Sequence, residues 1–143
     1  MKALFIILFL ISFCGYSQVD TLQIKSLFYT QYDIASKNAP KLVDVDAAII
    51  TGENLYDALA NKVNMSYYLS DLYYTKATSF TNQSSGLSGV KSRGYVAKIE
   101  RLELLEKSKI YMKYFIDNYT VKDEVYRGAQ TRLLRIESKL NDQ

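Results

Sequence analysis

Residues Tyr95–Tyr119 read YVAKIERLELLEKSKIYMKYFIDNY. Tyr95, Ile99, Leu102, Leu105, Met112, Ile116 and Tyr119 recur there at a spacing near that of a coiled-coil seam, about 3.5 residues. The stretch predicts a long helix over about Val90–Asn118, packed on other helices. Lys109 falls on the seam among Leu105, Met112 and Ile116, where its flexible stem can carry the ammonium out to water. Glu100, Glu103 and Glu106 stand at i, i+3 and i+6 of this helix. They read as a solvated face rather than as acids for sugar hydrolysis.

Downstream, Thr120-x-x-Asp123 reads as a capping box that opens the last helix. Tyr126, Ala129, Leu133, Ile136 and Leu140 follow in alternating steps of three and four. Only a turn around Asn118–Val121 separates the two helices, so they are expected to form an antiparallel hairpin. Arg132, Arg135 and Lys139 make a basic ridge on its outer side, a candidate surface for an anionic glycan, a lipid headgroup or an acidic protein.

Upstream, Thr81–Gly94 (TNQSSGLSGVKSRG) breaks every period and reads as a loop, with Ser84–Ser88 as a further candidate surface. Its Ser88-x-x-Lys91 lacks the partner motifs of penicillin-binding enzymes, so Ser88 is expected to cap a helix. Before the loop, Asp46–Phe80 has a helical period, with Ala48, Leu55, Leu59, Leu69, Tyr73, Ala77 and Phe80 on one side. Asp57, Asn64, Asp71 and Thr75 share the other. Gly52 interrupts the apolar side and marks a bend or a start near Thr51. Tyr56, Tyr67 and Tyr74 are expected along one flank, a candidate partner surface of apolar rings with hydroxyls.

Leu42–Ala47 (LVDVDA) alternates like a strand but has no partner strand, so it reads as the run-in to this helix, with Asp44 or Asp46 as cap. Ala48 and Ile49 stand where a calcium loop would need Asp or Asn and then Gly. Gln18–Asn38 forms the first helix, capped by Asp20 and Gln23, with Ile24, Leu27, Phe28, Ile34 and Ala35 as its stripe. Pro40, the only proline, ends it.

Lys107–Glu137 resembles the junction between two tetratricopeptide repeat helices, with Tyr114, Phe115, Tyr119, Tyr126 and Leu133 at the bulky positions. The resemblance covers one hairpin and implies an adaptor. No second copy stands at the repeat's offset of about 34 residues.

The chain starts MKALFIILFLISFCGYSQ. A basic Lys2, an apolar run over Ala3–Phe13 and small Gly15 and Ser17 before Gln18 have the layout of a secretory signal, cut after Ser17. The run is too short for a bilayer span of about 20 residues. Lipid attachment at Cys14 would want a small residue where Phe13 stands. Cleavage removes Lys2 and lowers the formal net charge from +3 to +2, too mild to call for a polyanionic partner such as a nucleic acid.

Cleavage also removes the single cysteine, so packing must stabilise the chain without a disulfide. With no histidine anywhere, Ser-His-Asp and Cys-His catalysis are closed, as are the usual zinc, copper, haem and di-iron sites. No cofactor, metal or catalytic residue is therefore expected. Three Asn-x-Ser/Thr triplets begin at Asn64, Asn82 and Asn118.

Residues 1–17 are thus expected to be a signal peptide. Residues 18–143 are expected to form one all-α domain, an antiparallel four-helix bundle with two long central helices. The leading functional expectation is a non-enzymatic interaction module, secreted or periplasmic, that binds another envelope protein or itself. The alternatives are a carrier that holds a lipid or aromatic compound between its helices, and an enzyme that uses only Ser, Lys, Tyr and carboxylates.

Overall fold

The computed structural model describes residues 21–37, 40–80 and 96–142. The expectations on the signal peptide, on Cys14, on the Asp20 cap, on Tyr95 and on the Thr81–Gly94 loop lie outside these residues. The described residues form five helices and no strand: α1 over 21–35, α2 Leu42–Ala58, α3 Val63–Ser79, α4 Lys98–Asn118 and α5 Glu124–Asn141. The described residues make an all-α helical bundle.

The expected long helix Asp46–Phe80 is two helices folded back on each other. Leu59 leaves α2 in extended conformation (φ −84°, ψ 134°), and the Asn61 side chain accepts from the Val63 N–H at 3.1 Å. Asn61 thus provides the local side-chain turn that lets α3 reverse direction. Neither glycine nor proline marks the break. The expected stripe nevertheless points inward, because Ala48, Leu55, Leu69, Tyr73, Ala77 and Phe80 are all buried.

Two further starts differ from the expected ones. LVDVDA is helical from Leu42, so Asp44 lies in the first turn and no side chain caps the helix. At α5 the cap is Asp123, which accepts from the Tyr126 N–H at 3.1 Å, so the helix starts later than a Thr120 cap would place it. That bond holds the Asp123 carboxyl below the usual carboxylate range.

The pivot of the fold is α3, and it touches all four other helices. It buries Met65, Ser66, Leu69, Ser70, Leu72, Tyr73 and Ala77, so it is apolar or small on nearly every side. Tyr32 and Phe28 of α1 meet Asp71 and Tyr68. Glu53 of α2 meets Tyr73, Ser108 of α4 meets Ser70, and Arg132 of α5 meets Asp71. These pairings run α2 against α3, α3 against α4 and α4 against α5 in antiparallel order. The α3–α4 crossing is close because Ser70 and Ser108 are both fully buried.

On α4 the buried residues are Leu104, Leu105, Ser108, Met112 and Phe115. The period expected from the sequence is right, but its phase is displaced. Ile99 is 74% exposed, and Ser108 and Phe115 take inward positions. Lys109 reaches the rim and pairs with Glu137 of α5 at 3.6 Å. α4 begins at Lys98, with Ala97 extended, rather than near Val90. The Val96 N–H donates to the Phe80 carbonyl at 2.9 Å, joining the end of α3 to the approach to α4.

Candidate functional site

Tyrosines dominate the seams between helices, and three polar or aromatic clusters result. In the first, Asp71 of α3 accepts from the Tyr32 hydroxyl at 2.6 Å and pairs with Arg132 of α5 at 2.6 Å. One carboxylate thus tethers the first and last helices to the pivot. Arg132 also lies over the Tyr67 ring, 5.4 Å from its centroid.

In the second, Glu53 of α2 accepts from the hydroxyls of Tyr73 (2.5 Å) and Tyr111 (3.2 Å). The two rings stack at 5.9 Å and 9°. Tyr56 packs edge-on against Tyr111 and Tyr114, with the Lys62 ammonium 4.7 Å from its ring. Beside this cluster lies a groove of about 450 Å³ lined in part by Tyr73 and Lys76. Lys76 pairs with Asp46 at 3.0 Å and Glu100 at 3.1 Å. Burial pulls its ammonium towards neutrality, but the two carboxylates outweigh that and hold it charged.

The third is a groove of about 280 Å³ lined by Asn64, Tyr67, Tyr68, Phe115, Tyr119 and Val125. It lies where α3, the end of α4 and the start of α5 meet. Its rings hold one another: Tyr67 stands at 87° to Tyr68, and Phe115 stacks on Tyr119 at 4.6 Å. The Tyr119 hydroxyl donates to Asp123 at 3.0 Å.

The six residues singled out in the sequence do not form one surface. Tyr56 is on α2, and Tyr67 and Tyr74 are on α3, so the break at Asn61 removes the common flank. Tyr67 enters the aromatic groove, Tyr56 joins the Glu53 cluster, and Tyr74 is half-buried against the core. Arg132 turns inward to Asp71, leaving Arg135 and Lys139 exposed on α5. Sequence reading missed Tyr68, Phe115 and Tyr119 as groove residues and Asp71 as a tether. The run Tyr67-Tyr68 was a signal for the first. The second had none, because Asp71 shared a polar face with Asp57 and Asn64.

Burial and the neighbouring carboxylates push the hydroxyls of Tyr32, Tyr73 and Tyr111 well above the ordinary tyrosine value. The folded chain keeps these phenols protonated, and that preference is fully present below about pH 10, where unfolded tyrosines are protonated too. Above that pH the unfolded chain releases protons that the folded chain retains, so stability falls as pH rises. Phenolate absorbance should therefore show a group of tyrosines that ionises only together with loss of helical circular dichroism. A gradual titration of every tyrosine with helicity intact would contradict this.

Among the described residues no group of three or more His, Cys, Asp or Glu is placed to hold a metal, and no helix is long and apolar enough to cross a membrane. Comparison with models of known families, with characterised proteins and with solved structures gives no match.

Proposed function

We propose that the protein is an exported helical interaction module that holds a protein partner in the periplasm or outside the cell. The observation that carries the reading is the groove of Tyr67, Tyr68, Phe115 and Tyr119. Four rings line it, three from helices and Tyr119 from the residue that ends α4, already ordered by contact with one another. Tyrosine at such a site offers large apolar area and a hydroxyl at low entropic cost, which suits protein recognition. The grooves are open to the outside, and the helix interfaces are filled by side chains such as Phe28, Leu55, Leu69, Met112 and Phe115. That favours a partner surface over a carrier with a ligand enclosed between helices. Export rests on the signal-like arrangement from Lys2 to Ser17.

The test places a photo-crosslinking amino acid at Val125, on the groove edge, in the source cell. The expected result is a single crosslinked protein species in the exported fraction, lost in Tyr67→Ala. The recovered chain should begin at Gln18 by mass spectrometry. An intact leader on a chain retained inside the cell, or the same crosslinks from a probe at Arg135, would overturn the reading.

A further inference from the structure

Independently of any partner, we propose that the Glu53–Tyr73–Tyr111 cluster is a one-electron redox site. An oxidant of the peroxyl-radical class draws an electron out through the rings, and a neutral phenoxyl rests on Tyr73 while Glu53 holds its proton. Composition narrows where such a hole can go. Apart from Cys14 the chain has no thiol, and it has no indole or imidazole. Met65 and Met112 are buried, and a thioether yields an electron less readily than a phenol and has no proton to release. One-electron oxidation of the folded body therefore falls on its tyrosines.

A phenol that loses an electron becomes a strong acid, so the hole settles where a base already holds the hydroxyl proton. Among the described residues three carboxylates accept from tyrosines: Asp71 from Tyr32, Asp123 from Tyr119, and Glu53 from Tyr73 and Tyr111. A proton on Asp71 would cost the ion pair with Arg132 at 2.6 Å. Asp123 is held below the usual carboxylate range by the Tyr126 N–H, which makes it a poor base. Glu53 makes no ion pair among the described residues, and the Tyr73 hydroxyl lies 2.5 Å from it. The Lys107 ammonium stands 5.2 Å from the Tyr73 ring centre, so a ring that kept its proton would set two positive charges side by side. Transfer of the proton to Glu53 leaves a neutral ring instead. In the resting chain, burial and then Glu53 push the Tyr73 hydroxyl up, so this proton leaves only together with the electron.

A route to the surface is in place. Tyr114 is 37% exposed, and its ring lies 6.4 Å from Tyr56. Tyr56 lies 5.3 Å from Tyr111, which stacks on the buried Tyr73 at 5.9 Å. The electron passes outward along these four rings and reduces the oxidant to its anion. The Tyr73 O–H bond breaks, and its proton forms an O–H bond with Glu53 Oε1. A small thiolate then returns the electron, becoming a thiyl radical, and Glu53 returns the proton. Because Tyr73 is buried, its phenoxyl cannot couple with a second copy.

The experiment uses the full chain with Cys14→Ser, takes flash-generated ruthenium(III) tris-bipyridine as the oxidant and follows phenoxyl absorption. The expected result is a long-lived phenoxyl that decays in first order, forms more slowly in deuterium oxide and leaves little dityrosine fluorescence. Glu53→Gln keeps an acceptor for Tyr73 but removes the base, and should slow formation of that long-lived phenoxyl by about a hundredfold, the lower end of what a positioned base contributes. Tyr73→Phe combined with Tyr111→Phe keeps every ring, and should give instead a second-order decay to dityrosine between copies. A phenoxyl in the starting chain that already decays to dityrosine, or a long-lived one formed at an unchanged rate in Glu53→Gln, overturns the proposal. Should Glu53→Gln lose its helical circular dichroism, the double phenylalanine variant decides: a long-lived phenoxyl that persists in it overturns the proposal, and its loss upholds it.

Discussion

Phe28→Ala is expected to lower the unfolding free energy by about 3–5 kcal/mol and to release α1 from the body. Phe28 is fully buried, edge-on to Tyr68 at 6.0 Å, and its ring fills a notch over Gly52. A Cβ at Gly52 would stand 2.7 Å from Phe28 Cε2 and 2.9 Å from Leu69 Cδ2. Gly52→Ala alone therefore sets an overpacking cost of about 1–3 kcal/mol against about 1 kcal/mol of gained helix propensity, and should be neutral to destabilising. Once Phe28 is alanine the ring is gone and the Leu69 methyl has room to move. Gly52→Ala should then stabilise. Urea denaturation of the four proteins of this cycle measures the coupling. Strict additivity would show that the notch is not closed by the ring.

Ser108→Leu is expected to cost about 3 kcal/mol or more, by prising α3 from α4. At their crossing the Ser70 hydroxyl donates to the Ser108 carbonyl at 2.8 Å, and the Ser108 hydroxyl donates to the Ser70 carbonyl at 2.8 Å. The two hydroxyl oxygens are 3.1 Å apart. No room for a leucine exists there, since both serines have zero exposure. Ser70→Ala removes one bond and should cost about 1 kcal/mol. The double alanine variant leaves methyls facing each other and should cost no more than the single changes together. Thermal melts of the four chains check this order. A leucine variant as stable as the alanine variant would mean the helices are not in close contact.

Helical class and the inward stripe of α2 and α3 were legible in the sequence, because six apolar or aromatic residues at helical spacing define a face whether or not the helix is interrupted. The break between those helices was not. Its only local marker is Asn61, and the stripe resumes in phase beyond it. The central role of α3 was hidden for a related reason. Ser66, Ser70 and Asp71 look like surface residues, yet two are the small contacts that permit close packing and the third is a tether for α1 and α5. The groove was half legible. Tyr67 stood out as a ring on a helix, but Phe115 and Tyr119 meet it only through the α3–α4 crossing, which no single-helix pattern encodes.

The antiparallel order of α2 through α5 also bears on how fast the chain finds its shape. Each of these helices settles against the one just before it, so most pairings close short loops. Such low contact order puts acquisition of structure in the microsecond-to-millisecond range. Were the chain exported, as proposed, it would cross as an open strand with no disulfide to guide it, and would then spend little time exposed to proteases on the far side.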